Sequence, residues 1–331
     1  MSKPLTAVLL STAALSAAHA DTTVFSTSVQ LQAMLNYHDY STTETWNSAD
    51  APYTGPTTAE LLAETVVANT DVAINFNRQW GKAFAAPGIL RADAYASIFA
   101  GDGVTSAHAA AKAGTTGSFI IDSPGRTGQA GWATISVTFS GGRLYSLITE
   151  PTPTAPAVGS SWLILDVSVG NSPAAHTAVT TDFGSLRSSM EQCLWSRGEA
   201  TCNQADLPTK TGLLFSTEMR IPIVFGVATP ISESLTAIVQ GKTQSLYEQG
   251  YFSAEADGFH SAYWGGISAV TFDDQRVDYT VTSSGGMDWS RSYVAAAVPE
   301  PSSALLLAGG LAAILARRRR RRVAVPPSTT G

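Results

Sequence analysis

The sequence predicts an all-β chain, an antiparallel β-sandwich of jelly-roll type, and three observations carry that prediction. Charged residues make up only 14% of the 331 positions while hydrophobic residues make up 44%; soluble globular chains usually carry about a quarter charged residues. Runs with β-branched or alternating apolar residues recur along most of the length. Glycine, proline, aspartate and serine clusters punctuate those runs.

Taken in order, the first strand pattern is Thr22 to Leu35, which alternates apolar and polar positions. Glu64 to Phe76 carries Val66, Val67, Val72, Ile74 and Phe76. Ile89 to Phe99, Ser118 to Ile121, Trp132 to Phe139, Leu144 to Ile148 and Trp162 to Val169 follow. Leu213 to Val227, Ser234 to Val239, Gly258 to Phe272 and Val277 to Val281 complete the set, roughly ten strands in all, at the spacing of a sandwich. Turns are expected at Gly101 to Gly103, Ser123 to Gly125, Gly141-Gly142, Asp273-Asp274 and Ser283 to Gly286. Two short helices are expected, at Thr58 to Glu64 with a capped start and at Ser185 to Trp195. The Pro-rich stretch Glu150 to Ser161 reads as a long crossover loop, with a domain linker as the alternative.

The termini have a different character. Residues 1–20 place Lys3 ahead of an apolar core from Leu5 to Ala18, and Ala18-His19-Ala20 is a small-x-small cleavage site. These are the parts of a secretory signal peptide, giving a mature chain from Asp21. Near the other end, Pro299-Glu300-Pro301 precedes an apolar run from Ala304 to Ala316. Arg317, Arg318, Arg319, Arg320, Arg321 and Arg322 follow it. As a helix the apolar run spans about 20 Å, short of a ~30 Å hydrocarbon core unless the arginines snorkel. The arginines should stay cytoplasmic by the positive-inside rule, which leaves the body outside, as the signal peptide also predicts.

This C-terminal segment resembles the PEP-CTERM sorting signal recognised by the membrane protease exosortase. The resemblance covers only residues 299–322, leaving 323–331 as a disordered tail. It implies a Gram-negative-type envelope, a transient inner-membrane intermediate, processing near Pro299 to Pro301, and release to the cell surface or an exopolysaccharide matrix. The stretch from Ile221 to Asp274 also resembles the end of many PEP-CTERM bodies, where closing strands of a β-sandwich precede the signal. A plain C-terminal membrane anchor is the alternative reading. The domain organisation expected is signal peptide 1–20, body 21–298, sorting signal 299–322 and tail.

Without the two ends, the body has 13 basic residues against 25 acidic ones. That balance argues against nucleic acid as a partner. Cys193 and Cys202, placed in an oxidising compartment, are expected to pair as a disulfide; two free buried thiols are the alternative. The short ring would contribute about 2–3 kcal/mol.

Motifs for catalysis are missing: no nucleophile elbow, zinc-protease helix, P-loop or dinucleotide fingerprint occurs. His38, His108, His176 and His260 lie too far apart for metal-ligand spacing and read as surface or turn residues. No cofactor is expected. Asp273, Asp274 and Asp278 bracket a hairpin and leave Ca²⁺ open, against a plain solvated turn. Trp132 and Trp162 sit in strand patterns and read as core, while Tyr263-Trp264 beside two glycines is a candidate for stacking on sugar rings. The expected function is a non-catalytic exported surface or matrix protein, associated with exopolysaccharide in a biofilm. Its partners in export are signal peptidase and exosortase. The alternative is a secreted glycan-acting hydrolase whose carboxylates the sequence does not identify.

Overall fold

The computed structural model describes residues 23–37, 40–49, 57–68, 74–100, 103–148, 157–170, 172–182, 187–196, 199–207, 211–245, 250–258, 262–283, 285 and 287–294. Every regular element among them is a β-strand, and every strand pairing is antiparallel. The chain divides into two compact units, Met1–Tyr293 and Val294–Gly331, and the described strands all belong to the first.

Nine strands form one sheet. They are β1 (Val24–Tyr37), β2 (Tyr40–Ala49), β6 (Gly103–Asp122), β8 (Ala157–Val169), β9 (Ser172–Asp182), β10 (Arg187–Ser196), β11 (Glu199–Asp206), β13 (Ala228–Ser245) and β17 (Thr280–Ser283). Their order is β11-β10-β9-β8-β13-β6-β1-β2, with β17 continuing the β1 position along β6. Eight strands form the other. These are β3 (Thr57–Ala68), β4 (Ile74–Ala86), β5 (Ile89–Ala100), β7 (Ala130–Ile148), β12 (Thr211–Val224), β14 (Gly250–Asp257), β15 (Ala262–Phe272) and β16 (Gln275–Arg276). Here β14 and β15 share the lane between β7 and β5, and β12 lies on the far edge of β7.

The sheets pack face to face in a sandwich-like arrangement. The chain switches sheet at each step from β5 to β8 and again from β11 to β14, as a jelly roll does. The hairpin runs β3-β4-β5 and β8-β9-β10-β11 add strands beyond that pattern. Both sheets draw strands from either side of the Pro-rich stretch, so no domain boundary falls there.

Alternation explains which side each strand buries. Along β6, Ala107, Ala109, Ala111 and Ala113 are buried, and along β5 Leu90, Ala92, Ala94, Ala96 and Ile98 are. These small side chains let Cα atoms of the facing strands β5 and β6 come within 8 Å of one another, closer than the ~10 Å usual between stacked sheets. Gly81 of β4 sits in the tightest part: a Cβ there would lie 2.6 Å from a Val29 methyl on β1. Gln79, also on β4 and only 1% exposed, crosses the gap. Its Nε2 donates to the Gln32 carbonyl at 2.9 Å, and its Oε1 accepts from the Gln32 N–H at 3.1 Å. A buried amide satisfied on both sides fixes the two sheets against each other.

Several expectations are corrected. Thr57–Ala68 and Arg187–Ser196 are strands, not helices. Each is held in a ladder, to β4 and to β9 and β11 respectively, and tertiary pairing overrides local helix propensity. Gly141-Gly142 does not turn the chain: β7 runs straight through, with Gly141 at φ +87° and an irregular register against Leu213 and Leu214 of β12. The glycines are a bulge. Trp132 and Trp162 lie half-buried on outer faces, because they alternate with the buried Gly131 and Ala133, and Ser161 and Leu163. Trp264, conversely, is fully buried. Gly265-Gly266 interrupt the register of β15 there, with Gly266 at φ +84° and a would-be Gly265 Cβ 2.1 Å from Ser136 Oγ. The segment Met287–Tyr293 folds back on this point. Trp264 Nε1 donates to the Trp289 carbonyl at 2.8 Å, and the two rings meet edge-on at 5.1 Å.

Candidate functional site

The outer face of the eight-stranded sheet concentrates aromatic rings and carboxylates. On β5 the even positions from Leu90 to Ile98 enter the core, so Arg91, Asp93, Tyr95 and Ser97 point outward. Register then sets their neighbours. Lys82, Asp93, Asp257 and Arg143 form one row across β4, β5, β14 and β7. Trp80, Tyr95, Glu255 and Tyr145 form the next. Four strands at the usual ~4.8 Å spacing make each row about 14 Å long.

In the aromatic row, Trp80 and Tyr95 stack with centroids 5.9 Å apart and planes inclined by 18°. The Ser253 hydroxyl donates to the Tyr95 oxygen at 3.2 Å and holds that ring. Tyr145 is 43% exposed. In the charged row, Arg143 pairs with both Glu255 and Asp257, the latter at 3.7 Å. Asp93 is 8% exposed, and its Oδ1 is buried without a hydrogen-bond partner. Burial, reinforced by the charges of Asp257 and Glu255 and only partly offset by Arg143, pushes the Asp93 carboxyl up to about 8. The face thus sets a neutral acid beside Arg-paired carboxylates, next to stacked rings. Such a surface can hold apolar ring faces and accept hydrogen bonds from hydroxyl groups.

The residues singled out from sequence are placed elsewhere. Asp273 and Asp274, at φ +47° and +61°, are the two central residues of the β15–β16 hairpin, the primed-turn geometry that favours aspartate. Asp274 accepts from Arg220 at 2.6 Å, and that guanidinium lies 5.0 Å from the Trp132 ring centroid. Asp278 does not join them in a ligand set. Among the described residues the only such grouping is Glu191, Cys193 and Cys202. Its two sulfurs are already bonded to each other. Cys193 and Cys202 are directly opposed on β10 and β11, with Cα atoms 4.0 Å apart, so the disulfide clamps a hairpin and not an open loop. His176 shares a 2.6 Å hydrogen bond with Asp166. His108 lines a cavity on the other sheet, and His38 and His260 lie outside the described residues.

Asp93, Glu255, Asp257 and Arg143 were not singled out from sequence. The available signal was weak: Glu255 and Asp257 are spaced by two and so share a face of any strand, and Asp93 and Tyr95 likewise. Nothing in the chain order brings residue 93 beside residue 257 before the strands pair.

A protein-family profile, the PEP-CTERM protein-sorting motif, matches residues 297–321. The chain carries a PEP-CTERM sorting motif. It is therefore an exported, cell-surface-directed protein sorted by exosortase. Pro299, Glu300, Pro301 and Arg317 to Arg321 lie within the matched span, and Arg322 follows it directly. These PEP-CTERM residues, like Ala18 and Ala20, lie outside the described residues. Searches of curated proteins and of solved structures give no match.

Proposed function

We propose that this PEP-CTERM protein is a non-catalytic surface or matrix component that holds exopolysaccharide on the outer face of its eight-stranded sheet, in the setting of a biofilm. The carrying observation is the stacked Trp80–Tyr95 pair beside Asp93, Glu255 and Asp257. Aromatic faces stack on the C–H faces of sugar rings, and the carboxylates accept sugar hydroxyls. The row is long enough for several units of a polymer. In this reading residues 1–20 are a signal peptide removed after Ala20, and Arg317 to Arg322 hold the C-terminal segment in the inner membrane of a Gram-negative-type cell until cleavage near Pro299 to Pro301. No cofactor enters the proposal.

One observation favours a second reading, a glycan-acting hydrolase. Asp93 is pushed up to about 8 while the facing Asp257 is paired with Arg143, and glycosidases separate an acid from a carboxylate in this way. Retention of the purified full chain on immobilised polysaccharide without release of reducing ends supports the non-catalytic role. Turnover that disappears in Asp93→Asn would overturn it in favour of the hydrolase.

A further inference from the structure

One cavity on the nine-stranded sheet departs from the acidic character of the body. A cavity of about 560 Å³ opens across β1, β6, β13 and β8, within the range of small-molecule sites and far larger than one small ion needs. Among the described residues its polar lining is Gln32, Ser106, His108, Ser160, Gln240 and Lys242, with no carboxylate. In a body with nearly twice as many acidic as basic residues, that is a local exception.

The lining is set by sheet register. Gln32, His108, Gln240 and Ser160 are successive cross-strand partners, so they form one row. Lys242, two residues beyond Gln240, shares its face of β13. Gln240 and Lys242 are exposed, and Lys242 has no carboxylate partner among the described residues. Half-buried His108 has an Nδ1 sealed from solvent without a partner, and burial pulls its pKa down. Ammonium, imidazole, two amides and two hydroxyls therefore line one cavity. They supply donors suited to a carboxylate and to the hydroxyls of the ring that bears it.

We propose that this cavity is a second saccharide site, one that takes a hexuronate unit through its carboxylate, with Lys242 as counter-charge and the Gln32–His108–Gln240–Ser160 row on the sugar hydroxyls. It does not depend on the sheet face carrying Trp80, which it opposes in both position and ligand charge. With both sites filled, one molecule would cross-link two strands of a matrix.

The test is calorimetric titration of the full chain in mild detergent with oligogalacturonate, with its methyl ester, and with acetate. Oligogalacturonate should bind, the ester and acetate should each bind at least about tenfold more weakly, and Lys242→Gln should cost about tenfold. His108→Gln should weaken binding as well, and Trp80→Ala should leave it unchanged. Equal binding of the ester, or full affinity in Lys242→Gln, would overturn the proposal. Acetate binding as tightly as the oligomer would overturn it in favour of a general carboxylate site. Loss of binding in Trp80→Ala would move the uronate to the other sheet and equally end the assignment. Loss of neutral-glycan retention alone would count against the sheet-face reading and leave this one standing.

Discussion

Asp93 and Asp257 stand directly opposite one another on β5 and β14, on the same outer face of the sheet. Asp93 is pushed far up, to about 8 from an ordinary value of 3.8, because burial comes first and the charges of Asp257 and Glu255 add to it. Glu233 is the same case in the core: burial raises it to about 8 from 4.5, and its Oε1 has no partner. A carboxyl whose pKa is raised on folding holds its proton more tightly in the folded state. Its contribution is complete below the unfolded pKa and is lost as pH rises through the folded one. Stability measured by urea unfolding should therefore fall between about pH 4.5 and 8, with a slope of up to roughly 1.4 kcal/mol per pH unit for each group. Glu233→Gln should remove part of that slope. A flat profile in the wild type would contradict the burial of both groups as ionisable acids.

The Gln79 clamp gives a second prediction. Gln79→Leu leaves the Gln32 N–H and carbonyl without the partners they have across the sheets. The expected cost is about 1–3 kcal/mol, read as a lower urea midpoint with unchanged m-value.

The disulfide has a local role. Strand β11 is exposed at all its positions and, among the described residues, pairs only with β10, so Cys193–Cys202 is a covalent tie on a sheet edge. Reduction should lower stability by about 2–3 kcal/mol. Hydrogen exchange should rise first in residues 199–206 and leave β6 and β13 protected.

Sorting predicts a defined product. The protein recovered from the surface or medium of an exporting host should have lost Arg317 to Arg322, and its intact mass should place the new C-terminus near Pro299 to Pro301. Replacing Pro299-Glu300-Pro301 with alanines should trap the chain in the membrane fraction. A surface form that keeps the arginine tract would mean plain anchoring.

Legibility in the sequence followed side-chain chemistry. The Val- and Ile-rich strands β8, β12 and β15 showed themselves through β-branched alternation, and Asp273-Asp274 through turn preference. The central strand β6 did not, apart from its last residues, because HAAAKAG has neither branching nor aromatic content. Alanine is a poor strand former by propensity and is chosen here because the opposite sheet approaches so closely. Strands β9, β11 and β14 also went unseen: β11 is polar and poor in branched residues, and β9 and β14 carry only short branched or aromatic runs between alanines and serines. At the candidate site, Trp80 was visible as an aromatic residue. Its stacking on Tyr95 and the meeting of Asp93 with Asp257 depend on register between distant strands, which spacing along the chain does not encode. The sorting motif was fully legible, since its chemistry is contiguous.

The most direct test of the saccharide platform is a binding isotherm of the full chain on soluble neutral exopolysaccharide, wild type against Trp80→Ala, at matched melting temperature. The account predicts measurable wild-type affinity that weakens by about tenfold when the indole is removed, the scale of a buried aromatic contact. Equal affinity in the two proteins would contradict it.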